Sequence, residues 1–136
     1  MKAVIAPLAL LALSACATGP APVGKLSDRE AKDLAKALDG KVAGTPVSCV
    51  STNKGENLRA IGDRTLIYRV SSKLVYRNDL IGACTGLRFG DTLVMEVFGS
   101  RYCRGDMARS VNLYSGAQTG SCALGDFVPY TAPNAP

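Results

Sequence analysis

Three sets of residues have types and spacings that could do chemistry. The first is the five cysteines, Cys16, Cys49, Cys84, Cys103 and Cys122. A thiol can hold a metal, exchange disulfides or accept an acyl group, depending on its spacing and neighbours. From Cys49 onward, neighbouring cysteines stand 35, 19 and 19 positions apart. Those intervals contain neither a CxxC redox pair nor the close pairs of a zinc ribbon. None of the 136 residues is His, so the commonest metal ligand and the usual general base are both missing. The expectation is no metal and no cofactor.

The second set is Ser51-Thr52-Asn53-Lys54, which has the SxxK spacing in which an amine activates a serine nucleophile. The SDN-like and KTG elements that accompany such a dyad are absent from the sequence, so a solvated turn is expected. The third set is the acids. Glu96 is the one carboxylate inside an apolar run, while Asp63, Asp79, Asp91 and Asp126 sit beside turn signals. Paired carboxylates can do acid–base work, but acids scattered over turns usually bond nearby amides. Arg104-Gly105-Asp106 beside Cys103 reads the same way, with Gly105 supplying positive φ and Asp106 bonding local amides. Tyr68, Tyr76, Tyr102, Tyr114 and Tyr130 are expected at the core and its edges rather than on a stacking platform. No catalytic constellation assembles, and a non-enzymatic protein is expected.

The first residues are an address. Met1-Lys2 provides a positive charge, Ala3 to Leu13 is apolar apart from Pro7, and small residues follow. That is the layout of a secretory signal, and it is shorter than the roughly 20 apolar residues a membrane span needs. Leu13-Ser14-Ala15-Cys16 resembles the lipobox of bacterial lipoproteins. The resemblance implies a signal peptide over residues 1–15 and a mature chain that begins at Cys16. Its thiol would carry diacylglycerol and its amine a further acyl chain such as palmitate. Such chains would anchor the protein stably in a lipid bilayer. Residues 16–25 then form a lipidated start and tether, of which Ala17 to Gly24 reaches about 26 Å when extended. The implied location is the cell envelope, with a periplasm-facing domain. Ala17 in place of Asp, by similarity to enteric lipoproteins, favours the outer membrane over the inner.

With 16 Lys and Arg against 11 Asp and Glu, the formal charge is +5. The surplus is spread along the chain without a basic cluster, so no nucleic-acid partner is expected. Weak attraction to anionic lipid or cell-wall surfaces is compatible with it.

Residues 26–130 read as a single domain with a loose tail over 131–136. Ser27 and Glu30 form a capping box at the start of a helix, with Asp28 adding negative charge at its positive end. Ala31, Leu34, Ala35 and Leu38 follow as an apolar stripe, and Asp39-Gly40 ends the helix. After Thr45-Pro46 the pattern turns β-like. Thr65–Val70 and Leu74–Arg77 predict a hairpin pairing Val70 with Leu74 and Tyr68 with Tyr76. Gly90-Asp91 is expected to turn Leu87–Phe89 into a strand over Thr92–Phe98, with Leu93, Met95 and Val97 on one face. Val111–Tyr114 and Ala123–Val128 are further candidate strands around a Ser115 to Ser121 loop. The fold class is therefore mainly β (α+β): one N-terminal helix, then five to seven short strands in a small antiparallel sheet or barrel-like domain.

An oxidising compartment makes two disulfides of Cys49, Cys84, Cys103 and Cys122. Of the three connectivities, Cys84–Cys103 bracketing the Gly90-Asp91 turn is favoured. Cys49–Cys122 would then tie the first strand to the last.

The order of short motifs over roughly residues 45 to 130 resembles a domain-of-unknown-function family of small proteobacterial envelope proteins. The motifs are Val47-Ser48-Cys49-Val50, Asp63-Arg64-Thr65-Leu66, Cys84-Thr85-Gly86-Leu87, Cys103-Arg104-Gly105-Asp106 and Cys122-Ala123-Leu124-Gly125-Asp126-Phe127. The resemblance implies location and fold, and supplies no activity. The expected function is a membrane-anchored interaction module binding an envelope protein or a cell-wall component such as peptidoglycan. The second expectation is an inhibitor of a secreted hydrolase such as lysozyme. Tyr114-Ser115-Gly116-Ala117 is similar to the inhibitory loop of small lipoproteins with that activity, although two basic proteins repel each other. A small hydrophobic-ligand carrier is the third.

Overall fold

The computed structural model describes residues 25–133. The expected signal peptide, the expected lipidation site Cys16 and the expected tether up to residue 24 lie outside the described residues, as do the last three residues of the expected tail. Helix α1 (Asp28–Leu38) begins at Ser27 through the reciprocal capping box. The Glu30 amide donates to Ser27 Oγ at 3.3 Å, and the Ser27 amide donates to the Glu30 carboxylate at 2.7 Å. Gly40, at φ +65°, lets the chain leave the helix in the left-handed conformation. The docked stripe is rotated from the expected one. Leu34, Leu38 and buried Ala37 pack with Leu26 against Ile61, Ile67 and Val75, while Ala31 and Ala35 face solvent. Glu30 shares the docked side and approaches Arg88 Nε at 3.4 Å.

Eleven short strands follow, more than the five to seven expected. They are β1 (Val42–Ala43), β2 (Cys49–Ser51), β3 (Arg59–Ile61), β4 (Thr65–Arg69), β5 (Leu74–Asp79), β6 (Ile81–Ala83), β7 (Thr92–Met95), β8 (Arg101–Cys103), β9 (Met107–Val111), β10 (Gln118–Ala123) and β11 (Phe127–Thr131). They form three open antiparallel sheets, ordered β1-β11-β5-β4-β3, β6-β10-β9-β7 and β2-β8. The predicted hairpin is present in its predicted register, with Tyr68 opposite Tyr76 and the Val70 amide donating to Leu74 O at 3.0 Å. Its loop needs no glycine because Ser71 Oγ accepts from the amides of Lys73 and Leu74 at 3.2 and 3.1 Å.

Strand β4 is buried on both faces. Ile67 faces the helix, whereas Leu66 and Tyr68 face the main core with Phe127, Leu124, Leu80 and Cys122. Tyr68 stacks on Tyr76 at 6.3 Å and meets Tyr102 edge-on at 5.8 Å. Its hydroxyl donates to Ser51 O at 2.6 Å, and burial pushes its pKa up. Fully buried Asn78 is satisfied by Gly125, whose carbonyl and amide lie 2.8 and 3.0 Å from its side chain.

Several expectations are corrected. The disulfides are Cys49–Cys103 and Cys84–Cys122, not Cys84–Cys103 and Cys49–Cys122. The favoured pairing required Leu87–Phe89 to be a strand folding back at Gly90-Asp91. Thr85–Phe89 is instead a 3₁₀ helix capped by Gly90, and β7 pairs with β9. The chain then turns away to β8, which places Cys103 directly opposite Cys49. Cys122 lies in β10 and not in the last strand, and β10 pairs with β6, which brings Cys122 beside Cys84, just beyond β6. The candidate strand Val111–Tyr114 is the end of β9 plus a turn. Ala123–Val128 straddles the break between β10 and β11, half of the expected Ser115 to Ser121 loop is β10, and Thr131 belongs to β11 rather than to the tail.

Two predictions follow from the packing. Non-reducing peptide mapping is expected to recover Cys49–Cys103 and Cys84–Cys122 crosslinks. For closed loops of 54 and 38 residues, replacing either pair with alanine is expected to cost about 4 kcal/mol in urea unfolding. The second concerns pH. The Ser27 amide, with Arg88 alongside, holds the Glu30 carboxyl below its usual value. That stabilisation is present above the unfolded pKa of about 4.3 and is lost as pH falls through the lower folded value. Glu30→Gln should flatten the acid limb of a melting-temperature profile in that window, and an unchanged limb would refute the assignment.

Candidate functional site

The 3₁₀ helix Thr85–Phe89 ends at Gly90, whose φ of +92° requires glycine, and hands the chain to Asp91. Asp91 is the anchor of a polar cluster. Its Oδ2 accepts from the Thr119 hydroxyl at 2.5 Å, and its Oδ1 accepts from Asn112 Nδ2 at 2.9 Å. Ser110 Oγ is 3.1 Å from Thr119 Oγ1. Since the Thr119 proton goes to the carboxylate, buried Ser110 is the donor in that contact. Gly86 lies so close that a Cβ there would collide with Thr119 Oγ1 and Asp91 Oδ2.

Asn112 transmits this anchor to the loop between β9 and β10. Its Oδ1 accepts from the amides of Tyr114 and Ser115, both at 3.1 Å, and from the Ser115 hydroxyl at 3.3 Å. The Asn112 amide donates to Ala117 O at 2.9 Å, and the Gly116 amide donates to Asn112 O at 2.8 Å. Gly116 takes φ +70° at the turn. A loop fixed at both ends and from within presents Leu113 and Tyr114 outward, 74% and 102% exposed, beside Phe89 at 83%. With Gly90, Asp91 and Asn112 these side chains border a recess of about 440 Å³. Three large apolar groups held in water by a polar scaffold form the kind of patch that marks an interaction site.

The other sequence candidates do not converge here. Ser51 Oγ is bonded to Asn53, not to Lys54, and its carbonyl accepts the Tyr68 hydroxyl. Arg104-Gly105-Asp106 forms the expected tight turn: Gly105 has φ +88° and Asp106 Oδ2 accepts from the Cys103 amide at 2.8 Å. Glu96 is exposed and pairs with Arg109 at 3.0 Å. Asp63, Asp79 and Asp126 pair with Arg88, Arg77 and Arg104 at 3.2, 3.0 and 2.7 Å. Tyr68, Tyr76 and Tyr102 join the core as expected, but Tyr114 does not. Among the described residues no three His, Cys, Asp or Glu side chains group as metal ligands.

Sequence reasoning missed Phe89 and Leu113, because it assigned both to strands. The available signal was Asn112 four residues before Gly116, an Asx-type turn interrupting an apolar run. Asn112→Ala is expected to cost about 1–2 kcal/mol of stability, since it strips acceptors from three donors. It should also speed hydrogen exchange over residues 113–117, and exchange no faster than in the native chain would show that Asn112 does not hold the loop. Comparison with family models, curated proteins and solved structures finds no match to this chain.

Proposed function

We propose that this is a non-enzymatic envelope protein, lipid-anchored at Cys16, that binds a partner protein through the rigid tip Leu113–Tyr114 and the neighbouring Phe89. The observation that carries the reading is the Asp91–Asn112 lock beneath an exposed apolar tip. Preorganisation lowers the ordering cost of association, and a projecting convex loop suits a cleft on the partner. The non-enzymatic reading is supported by the dispersal of the carboxylates into separate ion pairs and by the Ser51–Asn53 contact. The lipobox and the tether support the anchor.

The same loop favours one second reading, inhibition of a secreted hydrolase such as lysozyme, because Tyr114-Ser115-Gly116-Ala117 forms its tip. The carrier reading ranks lower, since Tyr68, Phe127 and Leu124 fill the interior between the sheets.

A photo-crosslinking side chain at position 114 in the full chain, activated in intact envelopes, tests the proposal. One dominant protein adduct is expected. Leu113→Ala and Tyr114→Ala should each weaken binding of that partner about tenfold, or about 1.4 kcal/mol. Adducts to lipid or peptidoglycan alone would overturn it. Lysozyme turnover unchanged by a micromolar excess of the protein would dismiss the inhibitor reading.

A further inference from the structure

Each open sheet ends in unpaired backbone, and most of these edges are blunted. In the five-stranded sheet, β1 is two residues long and runs into Gly44-Thr45-Pro46, while β3 is three residues long and begins with exposed Arg59. In the four-stranded sheet, β6 is three residues long and is interrupted by Gly82 at φ +81°. Its other edge, β7, is Thr-Leu-Val-Met, with no proline, glycine or charge. Natural sheets guard such edges because they recruit further strands.

The pairing pattern shows what β7 offers. The Glu96 amide donates to Met107 O at 3.0 Å, in register with the β7–β9 ladder. Hydrogen-bonded pairs alternate along an antiparallel ladder, so Val94 and Thr92 also bond inward to β9. The amides and carbonyls of Leu93 and Met95 therefore point away from the sheet. A groove of about 380 Å³ borders β7, lined by Asn57, Leu58, Thr92, Leu93, Met95 and Tyr102. At about 3.4 Å rise, 4.8 Å strand spacing and 10 Å sheet thickness, that is room for about two strand residues.

We infer that β7 is an acceptor edge for strand addition by an extended segment of a partner protein that presents apolar residues at alternate positions. The main-chain valences of Leu93 and Met95 call for an extended backbone. Leu58, Leu93, Met95 and Tyr102 take the apolar side chains. The edge is also continuous with the apolar tip, because Asp91 immediately precedes Thr92. The inference rests on the reading of this chain as a protein-binding module and adds the form of the bound segment.

Heptapeptides selected from a randomised library on the full chain provide the probe. The selected peptides are expected to carry apolar residues at alternate positions, and their binding should slow amide exchange at Leu93 and Met95. Methylating alternate backbone amides of the peptide should weaken binding at least about tenfold, as should Met95→Pro. Proline at an outward edge position removes no ladder hydrogen bond, but Met95 and Leu93 both pack against the core, so a lower melting temperature is expected and binding is compared at a temperature where the variant is folded. Equal binding by the methylated peptide or the proline variant would overturn the inference. So would a failure to select any peptide, or a concentration-dependent dimer that Met95→Pro dissolves, which would give the edge to a second copy of the chain. The position-114 crosslink separates the two proposals. Peptide binding lost with the crosslink kept condemns the edge alone, and the reverse result condemns the tip alone.

Discussion

The burial of β4 on both faces is the constraint on which the rest of this structure depends. Four of its five residues, Thr65 to Tyr68, are buried. A strand in that position needs a neighbour on each side for its backbone and a cover on each face for its side chains. Strands β3 and β5 supply the neighbours. Helix α1 covers Ile67, and the second sheet, with the aromatic cluster around Tyr68, covers Leu66 and Tyr68. The capping box, the Ser71 turn and the Asn78–Gly125 contacts hold those covers in place. Each satisfies backbone groups that would otherwise be left unpaired where the chain changes direction.

Two-sided cover by so short a chain comes at the cost of continuity, and the second layer is built from strands of three to six residues. The β2–β8 ribbon has three residues on each side and is marginal by itself. The Cys49–Cys103 bond crosses it at a pair that makes no backbone hydrogen bonds, since the flanking Arg104 amide bonds Ser48 O. Cys84–Cys122 ties the start of the 3₁₀ helix to β10. Both bonds join short segments that are distant in the chain, and covalent closure substitutes for the core that a small domain cannot build.

Elements governed by near neighbours in the chain were legible in the sequence, and those governed by distant partners were not. The helix start follows from Ser27 and Glu30, three residues apart, and the hairpin register follows from a three-residue loop. The mainly β class with one helix follows from the same local patterns. Long-range pairing has no such local code. Leu87–Phe89 reads as a strand by its residue types. It becomes a 3₁₀ helix because Gly86 must pass against Asp91 and Thr119, which only the fold brings together. Once that segment is not a strand, the disulfide order that depended on it fails as well. The docked face of the helix is likewise the one that meets residues distant in the chain, Ile61, Ile67 and Val75.

The candidate tip was only half legible for a related reason. Local rules place polar residues in exposed turns and apolar ones in strands, and Phe89, Leu113 and Tyr114 break them in one place. A merely solvated loop would need neither three large apolar side chains nor an internal hydrogen-bond lock. A loop whose apolar residues had simply failed to find the core would not be fixed through Asn112 to a half-buried carboxylate. Apolar surface and rigidity are each unfavourable without a partner, one through hydration and the other through lost chain entropy. Their coincidence at Asn112–Ala117 is what distinguishes this loop from the other turns of the molecule. The turn at Arg104-Gly105-Asp106 is equally well bonded, but its side chains are charged and face water. The tip, unlike that turn, breaks the agreement between local pattern and fold, and such breaks concentrate at functional sites.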